Sequence, residues 1–235
     1  MPQIDDAELF GNAEDQRAYE EFCANQEAVE KFTLDKPALV CRWRMSNKKV
    51  PMLNRHIRAL SERLVQGEPL THNMLSWAKQ HVEWSLAEGD YTARDGVLML
   101  VIDVNGNAAM TVGEYEPLAD TSAKALRARS AEARSEADET GVAPELLAAV
   151  DNGELAFVAP ADECLCGTAT LIEQLAQTKG IPVTRVDIPA QLKGALFLVS
   201  DEHGVVPATE ADAAETDAAM VAFFADGYEK LRARR

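Results

Sequence analysis

The chain has 235 residues, 47% of them apolar, which is enough for one large domain or two small ones with a substantial core. It carries 39 acidic and 23 basic residues, a formal charge of −16, and this balance is the opposite of that usual in nucleic-acid-binding proteins. No run of 18 apolar residues predicts a membrane span, and the acidic N-terminus lacks the apolar core of a signal peptide. We therefore expect a cytoplasmic protein that binds neither nucleic acid nor membrane.

The charge is unevenly distributed. Residues 1–36 hold ten acids and three bases, whereas residues 37–63 hold seven bases and one acid, Glu62. We call these seven residues the basic band: Arg42, Arg44, Lys48, Lys49, Arg55, Arg58 and Arg63. One interpretation is a solvated hairpin and helix that offset neighbouring acids. The other is an anion-facing edge for an acidic partner or a phosphorylated metabolite, because clustered cations raise the local anion concentration.

The four cysteines are Cys23, Cys41, Cys164 and Cys166. The last two are too close in sequence for an easy disulfide with each other, and no second pair completes a zinc-binding pattern. We interpret all four as ordinary thiols and predict no metal site. Copper or zinc at Cys164 and Cys166 is the alternative.

Apolar periodicity and turn residues predict the elements of the first half of the chain. Apolar residues at helical spacing indicate helices, and alternating or continuous apolar runs indicate strands. The predicted elements are a helix at 15–31, strands at 38–45 and 50–53, helices at 53–64 and from 71 to about 86, and strands at 97–104 and 108–113.

The second half follows a similar mixture. We predict helices at 122–140, 167–179 and 216–232, strands at 155–158, 182–188, 195–200 and 205–208, and one helical turn at 190–193. No strand is predicted between 141 and 153. Mixed helices and strands throughout indicate an α+β fold. We expect an N-terminal α+β lobe, 1–118, with an extra helix in about 1–32, and a C-terminal α/β lobe, 119–235.

Several stretches resemble one enzyme family. They are KKVPMLNRHIRAL at 48–60, VLMLVIDVNG at 97–106, NGELAFVAPADECLCGTATLIEQLAQTKGIPVTRVDI at 152–188 and QLKGALFLVSDEHGVVPAT at 191–209. Over roughly 33–232 the chain resembles class IV (fold-type IV) pyridoxal-phosphate aminotransferases, a family that includes aminodeoxychorismate lyase. The resemblance implies a two-lobed fold, here trimmed in the second lobe, with an interlobe cleft, pyridoxal phosphate and a homodimer.

The family binds the coenzyme phosphate partly through an arginine on an H-x-x-R helix. Here the corresponding text is His56-Ile57-Arg58-Ala59, so Ala59 stands where that arginine would be. Arg58 lies one residue earlier, about 100° away around a helix. Arg58 is therefore our candidate for a recruited phosphate ligand.

The remaining phosphate ligands also depart from the family. Its G-I-T loop, which offers backbone N–H groups and a hydroxyl, corresponds to Gly167, Thr168 and Ala169. Its second hydroxyl pair corresponds to Ser200 and Asp201. An aspartate beside a phosphate dianion is repulsive, by about 1 kcal/mol at 4 Å in water and more when buried.

The family's Schiff-base lysine corresponds to Lys124, which precedes Glu136 by twelve residues and is the candidate catalytic residue. An active lysine needs burial or a neighbouring cation to lower its pKa. The family also places a glutamate against the pyridine nitrogen. The strand pair that would carry this glutamate is predicted to be deleted between 141 and 153, with Glu145 as a stand-in.

Two functions follow from this resemblance. The departures favour a pseudoenzyme with a degenerate coenzyme site and a binding or regulatory role, holding a small molecule or another protein in the interlobe cleft. The alternative is an active aminotransferase or lyase acting on a small amino acid. It would use Lys124, with Arg58 on the phosphate and a hydroxyl from Thr168 or Ser200.

The histidines suggest one further site. The turn Asp201-Glu202-His203 follows a predicted buried strand and would face the cleft in this fold. His203 oriented by Asp201 could act as a general base, although polar turns are usually only solvated loops. His56 is interpreted as a structural helix residue, because nothing at i+4 completes a ligand pair.

Overall fold

The structure is a computed structural model that describes residues 34–89, 93–187, 192–209 and 213–233, together with Arg17 and Glu21. Its helices are α1 (Leu53–Ser61), α2 (His72–Glu88), α3 (Ala123–Thr140), α4 (Gly167–Thr178) and α5 (Glu215–Arg232). Its strands are β1 (Pro37–Met45), β2 (Leu64–Val65), β3 (Glu68–Pro69), β4 (Gly96–Asp103), β5 (Ala108–Gly113), β6 (Leu146–Asp151), β7 (Glu154–Val158), β8 (Val183–Val186), β9 (Ala195–Ser200) and β10 (Gly204–Pro207). This arrangement confirms the predicted α+β class.

The first sheet is antiparallel, in the order β1-β4-β5. The near-continuous apolar run of β4 occupies the centre, with Leu100 opposite Cys41 of β1 and Met110 of β5. Helices α1 and α2 contribute side chains to the same core, which includes the fully buried Trp43. In the second half of β1 the arginines alternate with buried residues, so the cations point away from this core.

The second sheet has five strands in the order β10-β9-β6-β7-β8, antiparallel except for the β7–β8 pair. One core contains Phe157 and Phe197 of the sheet with Phe224 of α5 and residues of α4. A smaller core contains Leu126 of α3 with residues of β6, β7 and β9. Helices from both cores therefore cover this sheet.

Strand β1 forms backbone hydrogen bonds with segments that flank the second sheet. The amide of Val40 donates to the carbonyl of Gly141 at 3.1 Å, and the amide of Arg44 donates to the carbonyl of Asp201 at 2.9 Å. Helix α1 packs against α4 across the same junction. The junction brings the end of β9 and the start of α4 against β1 and α1.

Most predicted elements are confirmed within a few residues. The strand predicted at 50–53 is wrong, because these residues form a turn that leads into α1. The absence of a strand between 141 and 153 is also wrong. There β6, with the sequence LLAAVD, runs through the middle of the second sheet. Leucine and alanine favour helices in isolation, but burial inside a sheet outweighs that preference.

The described residues do not test three of the predictions. Of the helix predicted at 15–31 only Arg17 and Glu21 are described, both helical, and of the turn predicted at 190–193 only residues 192 and 193 are described. The lobe boundary after residue 118 stays a prediction. None of the helices in the described residues combines the length and apolarity needed to cross a membrane.

Candidate functional site

A central cavity lies where β1, α1 and α3 meet the ends of β9 and the loop before α4. Its lining includes Cys41, Arg42, Trp43, His56, Ala59, Arg63, Glu136, Glu145, Cys164, Cys166, Ser200, Asp201 and Glu202. Its volume is about 40 Å³. That is room for about three waters, whereas small-molecule sites typically measure about 300–1,000 Å³.

The N-terminus of α4 binds a carboxylate of the chain itself. Asp201 accepts hydrogen bonds from the backbone amides of Gly167, at 3.3 Å, and Thr168, at 2.7 Å. Its Oδ2 also lies 3.1 Å from Nδ1 of His56, and only 3% and 9% of the His56 and Asp201 side chains are exposed. We call this arrangement of Asp201, His56 and the two amides the cup.

His56 is held in the cup by packing on two sides. Its ring stacks on Trp43, with centroids 5.5 Å apart and an interplanar angle of 22°. On the other side, a Cβ on Gly167 would lie 2.5 Å from Nδ1 of His56. The first residue of α4 must therefore be glycine for the imidazole to approach the helix end this closely.

The cup keeps Asp201 ionised at neutral pH. Burial alone raises its pKa, but the electrostatic interaction with His56 and the hydrogen bond from the Thr168 amide outweigh burial and lower the pKa to about 2. A helix N-terminus attracts anions because its first amides are unpaired and its dipole is positive there. Asp201 therefore supplies, from the chain itself, the negative charge that such a helix end attracts.

The buried thiols around the cavity are not activated. Burial raises the pKa of Cys41 to about 12, and burial followed by the charge of Asp201 raises that of Cys166 well above its usual range. Because a thiolate is the nucleophile and metal ligand, Cys41 and Cys166 are inert at neutral pH. Cys164 is exposed and donates to the carbonyl of Glu62 at 3.1 Å. Cys23 lies outside the described residues.

A second histidine and carboxylate lie close together beside the cavity. Nε2 of His203 is 3.9 Å from Oε1 of Glu145, and its Nδ1 is 3.4 Å from the Tyr115 hydroxyl. Both carboxylate oxygens of Glu145 accept from Arg129, with one distance 3.1 Å. Asp201 therefore pairs with His56, not with His203 as the general-base hypothesis supposed. Burial lowers the pKa of His203, although the charge of Glu145 opposes this shift.

Glu145, Glu202 and His203 also form the one group of three potential metal ligands found in the part of the chain that the structure describes. No cysteine belongs to it. The guanidinium of Arg129 already neutralises Glu145, and a cation there repels a metal ion. This group therefore adds no ligand to the copper or zinc site considered at Cys164 and Cys166.

The structure brings together only part of the predicted coenzyme site. Gly167, Thr168 and Ala169 are buried at the start of α4, and the Ser200 hydroxyl accepts the amide of His203 at 2.9 Å beside the cavity. Lys124 is exposed on the first turn of α3 and does not line the cavity.

Arg58 is also exposed and lines a neighbouring groove, whereas Ala59 faces the cavity. The basic band is likewise divided. Arg42 pairs with Glu136 and Arg63 donates to the carbonyl of Gly141, both at the cavity. The band is therefore not one continuous face.

The cup residues do not fit pyridoxal phosphate. The amides that would receive the phosphate hold Asp201, so a second anion there would meet a fixed negative charge in a buried place. Ala59 supplies no cation. No lysine is present among the described residues that line the cavity, so none stands ready for a Schiff base. We derive no catalytic step through the coenzyme.

Sequence reasoning identified Asp201 as a misfit beside phosphate but missed its partner His56. The signal that could have revealed this arrangement was the aspartate at a position where the family has a hydroxyl ligand of the phosphate. An acidic residue at the place of a phosphate ligand can supply the missing negative charge itself. A glycine that opens a helix and a histidine on α1 complete that arrangement.

No protein-family model matches the sequence, and no curated protein sequence matches it. Solved structures do match. A hypothetical aminotransferase from Mycobacterium tuberculosis in its apo form is 14% identical, with a TM-score of 0.57 over 83% of this chain and 89% of that one. A hypothetical aminotransferase from the same organism in a PLP-bound form is 12% identical, with a TM-score of 0.53 over 86% of this chain and 95% of that one.

Two further structures agree. A fold IV-transaminase from Curtobacterium pusillum is 14% identical, with a TM-score of 0.56 over 88% of this chain and 93% of that one. A protein from Legionella pneumophila assigned as a 4-amino-4-deoxychorismate lyase is 11% identical, with a TM-score of 0.55 over 86% and 97%. At these identities the likeness establishes the fold: this chain has the fold of the class IV, fold-type IV aminotransferases.

Proposed function

We propose that this chain is a pseudoenzyme on the fold-type IV aminotransferase scaffold, with a binding or regulatory role instead of pyridoxal-phosphate catalysis. The observation that carries the proposal is the cup. A carboxylate of the chain occupies the helix N-terminus that the family resemblance assigns to the coenzyme phosphate.

Charge and space both support this proposal. The Asp201 carboxylate lies 3.1 Å from His56 and accepts hydrogen bonds from two amides, so a second anion in the cup would meet a fixed negative charge. The cavity around it holds only about three waters. Glu145, the stand-in for the ring-nitrogen carboxylate, is bound through both oxygens by Arg129 and would have to give up that pair to serve a ligand.

The direct test incubates the full-length protein with pyridoxal phosphate and removes excess coenzyme by gel filtration. The absorbance of the protein is then scanned between about 330 and 430 nm, where the bound coenzyme absorbs. We expect no stoichiometric band. Borohydride reduction followed by intact-mass analysis should show at most scattered labelling of exposed lysines. A Lys124→Ala variant should give the same result as the wild type.

The outcome that contradicts the proposal is equally definite. The active-enzyme alternative would be established if one equivalent of coenzyme remained after gel filtration and borohydride fixed it at Lys124. The Lys124→Ala variant would then lose this coenzyme. Lys193, which is also exposed and does not line the cavity, is changed to Ala as the matched control for the loss of one surface amine.

We also propose that the chain forms the homodimer implied by its family resemblance. Sedimentation equilibrium of the full chain over a range of concentrations tests this directly. A mass near twice 25.6 kDa is expected, and a monomer at every concentration would refute the dimer while leaving the proposed loss of coenzyme chemistry intact.

A further inference from the structure

An open groove lies next to the central cavity, between α1, the loop at 160–166, α4 and β8. Its volume is about 420 Å³, roughly ten times that of the cavity. Ala59, Cys164 and Leu165 line both spaces. We call it the arginine groove after Arg55, Arg58 and Arg185, which line it.

Two arginines of α1 in this groove lack a neutralising carboxylate. The guanidinium of Arg58 is exposed and makes no ion pair or hydrogen bond with any residue that the structure describes. Arg55 donates to the Thr170 hydroxyl at 3.1 Å and to the side chain of Gln174, both of which are uncharged. Burial, and then the positive charge of Arg58, lowers the pKa of Arg55. The two cations therefore repel each other.

The carboxylates of the groove are mostly neutralised by other residues. Glu163 pairs with Arg134 at 2.7 Å, and Glu173 pairs with Arg185 at 3.6 Å. Glu62 makes no ion pair among the described residues and is the one acid left to oppose the α1 arginines. Arg134 and Arg185 balance Glu163 and Glu173, so Arg55, Arg58 and Glu62 leave one net positive charge beside α1, although the whole chain carries −16.

We propose that the arginine groove binds a small dianionic oxyanion, a phosphate monoester or a dicarboxylate, between Arg55 and Arg58. Guanidinium groups present planar pairs of N–H donors that match the oxygens of phosphate and carboxylate. A dianion would neutralise both cations and remove their mutual repulsion. The Thr170 hydroxyl, which donates to the Gly167 carbonyl at 2.8 Å, keeps Arg55 in place.

This site is separate from the phosphate position that the family resemblance assigns. That position is the cup, on the side of α1 that carries His56 and Ala59, and it is filled by Asp201. The arginine groove is on the other side of the wall formed by Ala59 and Leu165. The inference rests on the proposed binding role and names a ligand class for it.

The experiment titrates the full-length protein with inorganic phosphate and, separately, with succinate, following its thermal unfolding midpoint at constant ionic strength set with sodium chloride. A ligand that binds only the folded state raises the midpoint in a saturable way. Succinate and phosphate distinguish the dicarboxylate from the phosphate monoester as the source of the dianion. Chloride alone measures the nonspecific salt effect.

Three variants make the test specific. Arg58→Gln should weaken binding of the effective dianion about tenfold, since hydrogen bonds to charged groups are each worth about that factor. Glu62→Gln should strengthen it, because it removes the opposing charge. Arg94 does not line the groove, so Arg94→Gln also removes one positive charge but leaves the groove unchanged. This variant should bind the dianion as tightly as the wild type does.

Opposite shifts for Arg58→Gln and Glu62→Gln would support the proposal. No saturable shift with either dianion beyond the chloride control, or equal losses in Arg58→Gln and Arg94→Gln, would overturn it. These outcomes are independent of the coenzyme test, because the absorbance and mass of the coenzyme-treated protein can exclude pyridoxal phosphate whether or not phosphate binds in the groove.

Discussion

The cup and the arginine groove lie on neighbouring sides of the same helix, α1, and differ in how their charges are compensated. In the cup, Asp201 contacts His56 and accepts hydrogen bonds from two backbone amides, and the surrounding cavity measures only about 40 Å³. In the groove, Arg58 has no partner among the described residues, and the space is open. The comparison shows that one side of α1 is occupied by a carboxylate of the chain itself, while the neighbouring side opens to a groove with an unpaired arginine among the described residues.

The cup is not the only place where this chain satisfies backbone amides with a buried carboxylate. Asp217 of α5 accepts from the amides of Asn152 and Gly153, both at 3.0 Å, at the turn between β6 and β7. Only 4% of Asp217 is exposed. In both places a carboxylate accepts hydrogen bonds from two adjacent amides of a turn or a helix end, which is a structural use of the charge.

Removing the carboxylate of the cup should have the largest effect. Asp201→Ala leaves His56 buried without its partner and two amides unsatisfied, so we expect a loss of about 3–5 kcal/mol in the free energy of unfolding. Urea denaturation measures this loss. Glu202→Ala, one residue further along, is the control and should cost less than about 1 kcal/mol. Equal costs for the two variants would show that the cup contributes no special stability.

Displacing the histidine should cost less. Gly167→Ala places a Cβ 2.5 Å from Nδ1 of His56 and 3.2 Å from its Cα, so the imidazole must move away from Asp201. Overpacking of this kind typically costs about 1–3 kcal/mol. Gly113→Ala is the matched control, because a Cβ there meets nothing within 4 Å. A Gly167→Ala protein as stable as Gly113→Ala would mean that the close approach is unimportant.

The cup should also give the protein a measurable acid sensitivity. The pKa of Asp201 is lowered from 3.8 to about 2 in the folded state. Its contribution to stability is therefore complete above about pH 4 and is lost as the pH falls through about 2, a change of about 2 kcal/mol. Asp201→Asn lacks this titration, so the stability difference between wild type and variant should shrink on acidification. A difference that stays constant from about pH 6 to about pH 2.5 would contradict the assignment.

Much of the fold could be predicted from the sequence, because its elements carry local signals. The continuous apolar run of β4 indicated a central strand, and Ser122 caps α3, accepting the amide of Ala125 at 3.2 Å. Strand β6 was missed because its leucines and alanines have no strand preference, and only burial between two cores determines its conformation.

The candidate site was less predictable, because its contacts join distant parts of the chain. Asp201 on the turn after β9 meets His56 on α1, far apart in sequence, where periodicity carries no information. The resemblance located both segments but assigned Asp201 a repulsive role beside a phosphate. The structure shows that the carboxylate itself binds the amides. Arg58 was proposed as a substitute for the arginine of the family's H-x-x-R helix, but on α1 it is exposed and lies outside the cavity.

Changing Arg58 in the groove should have the smallest effect on the free energy of unfolding, and a small effect would show that Arg58 does not support the fold. Because Arg58 is exposed and unpartnered among the described residues, Arg58→Gln should change the free energy of unfolding by less than about 0.5 kcal/mol in chloride. In saturating phosphate the wild type should become more stable than the variant, since only the wild type retains both cations for the dianion. Urea unfolding with and without phosphate, at one ionic strength, separates the two effects. A variant already destabilised by more than about 1 kcal/mol in chloride would show that Arg58 supports the fold, and the contrast between a closed cup and an open groove would fail.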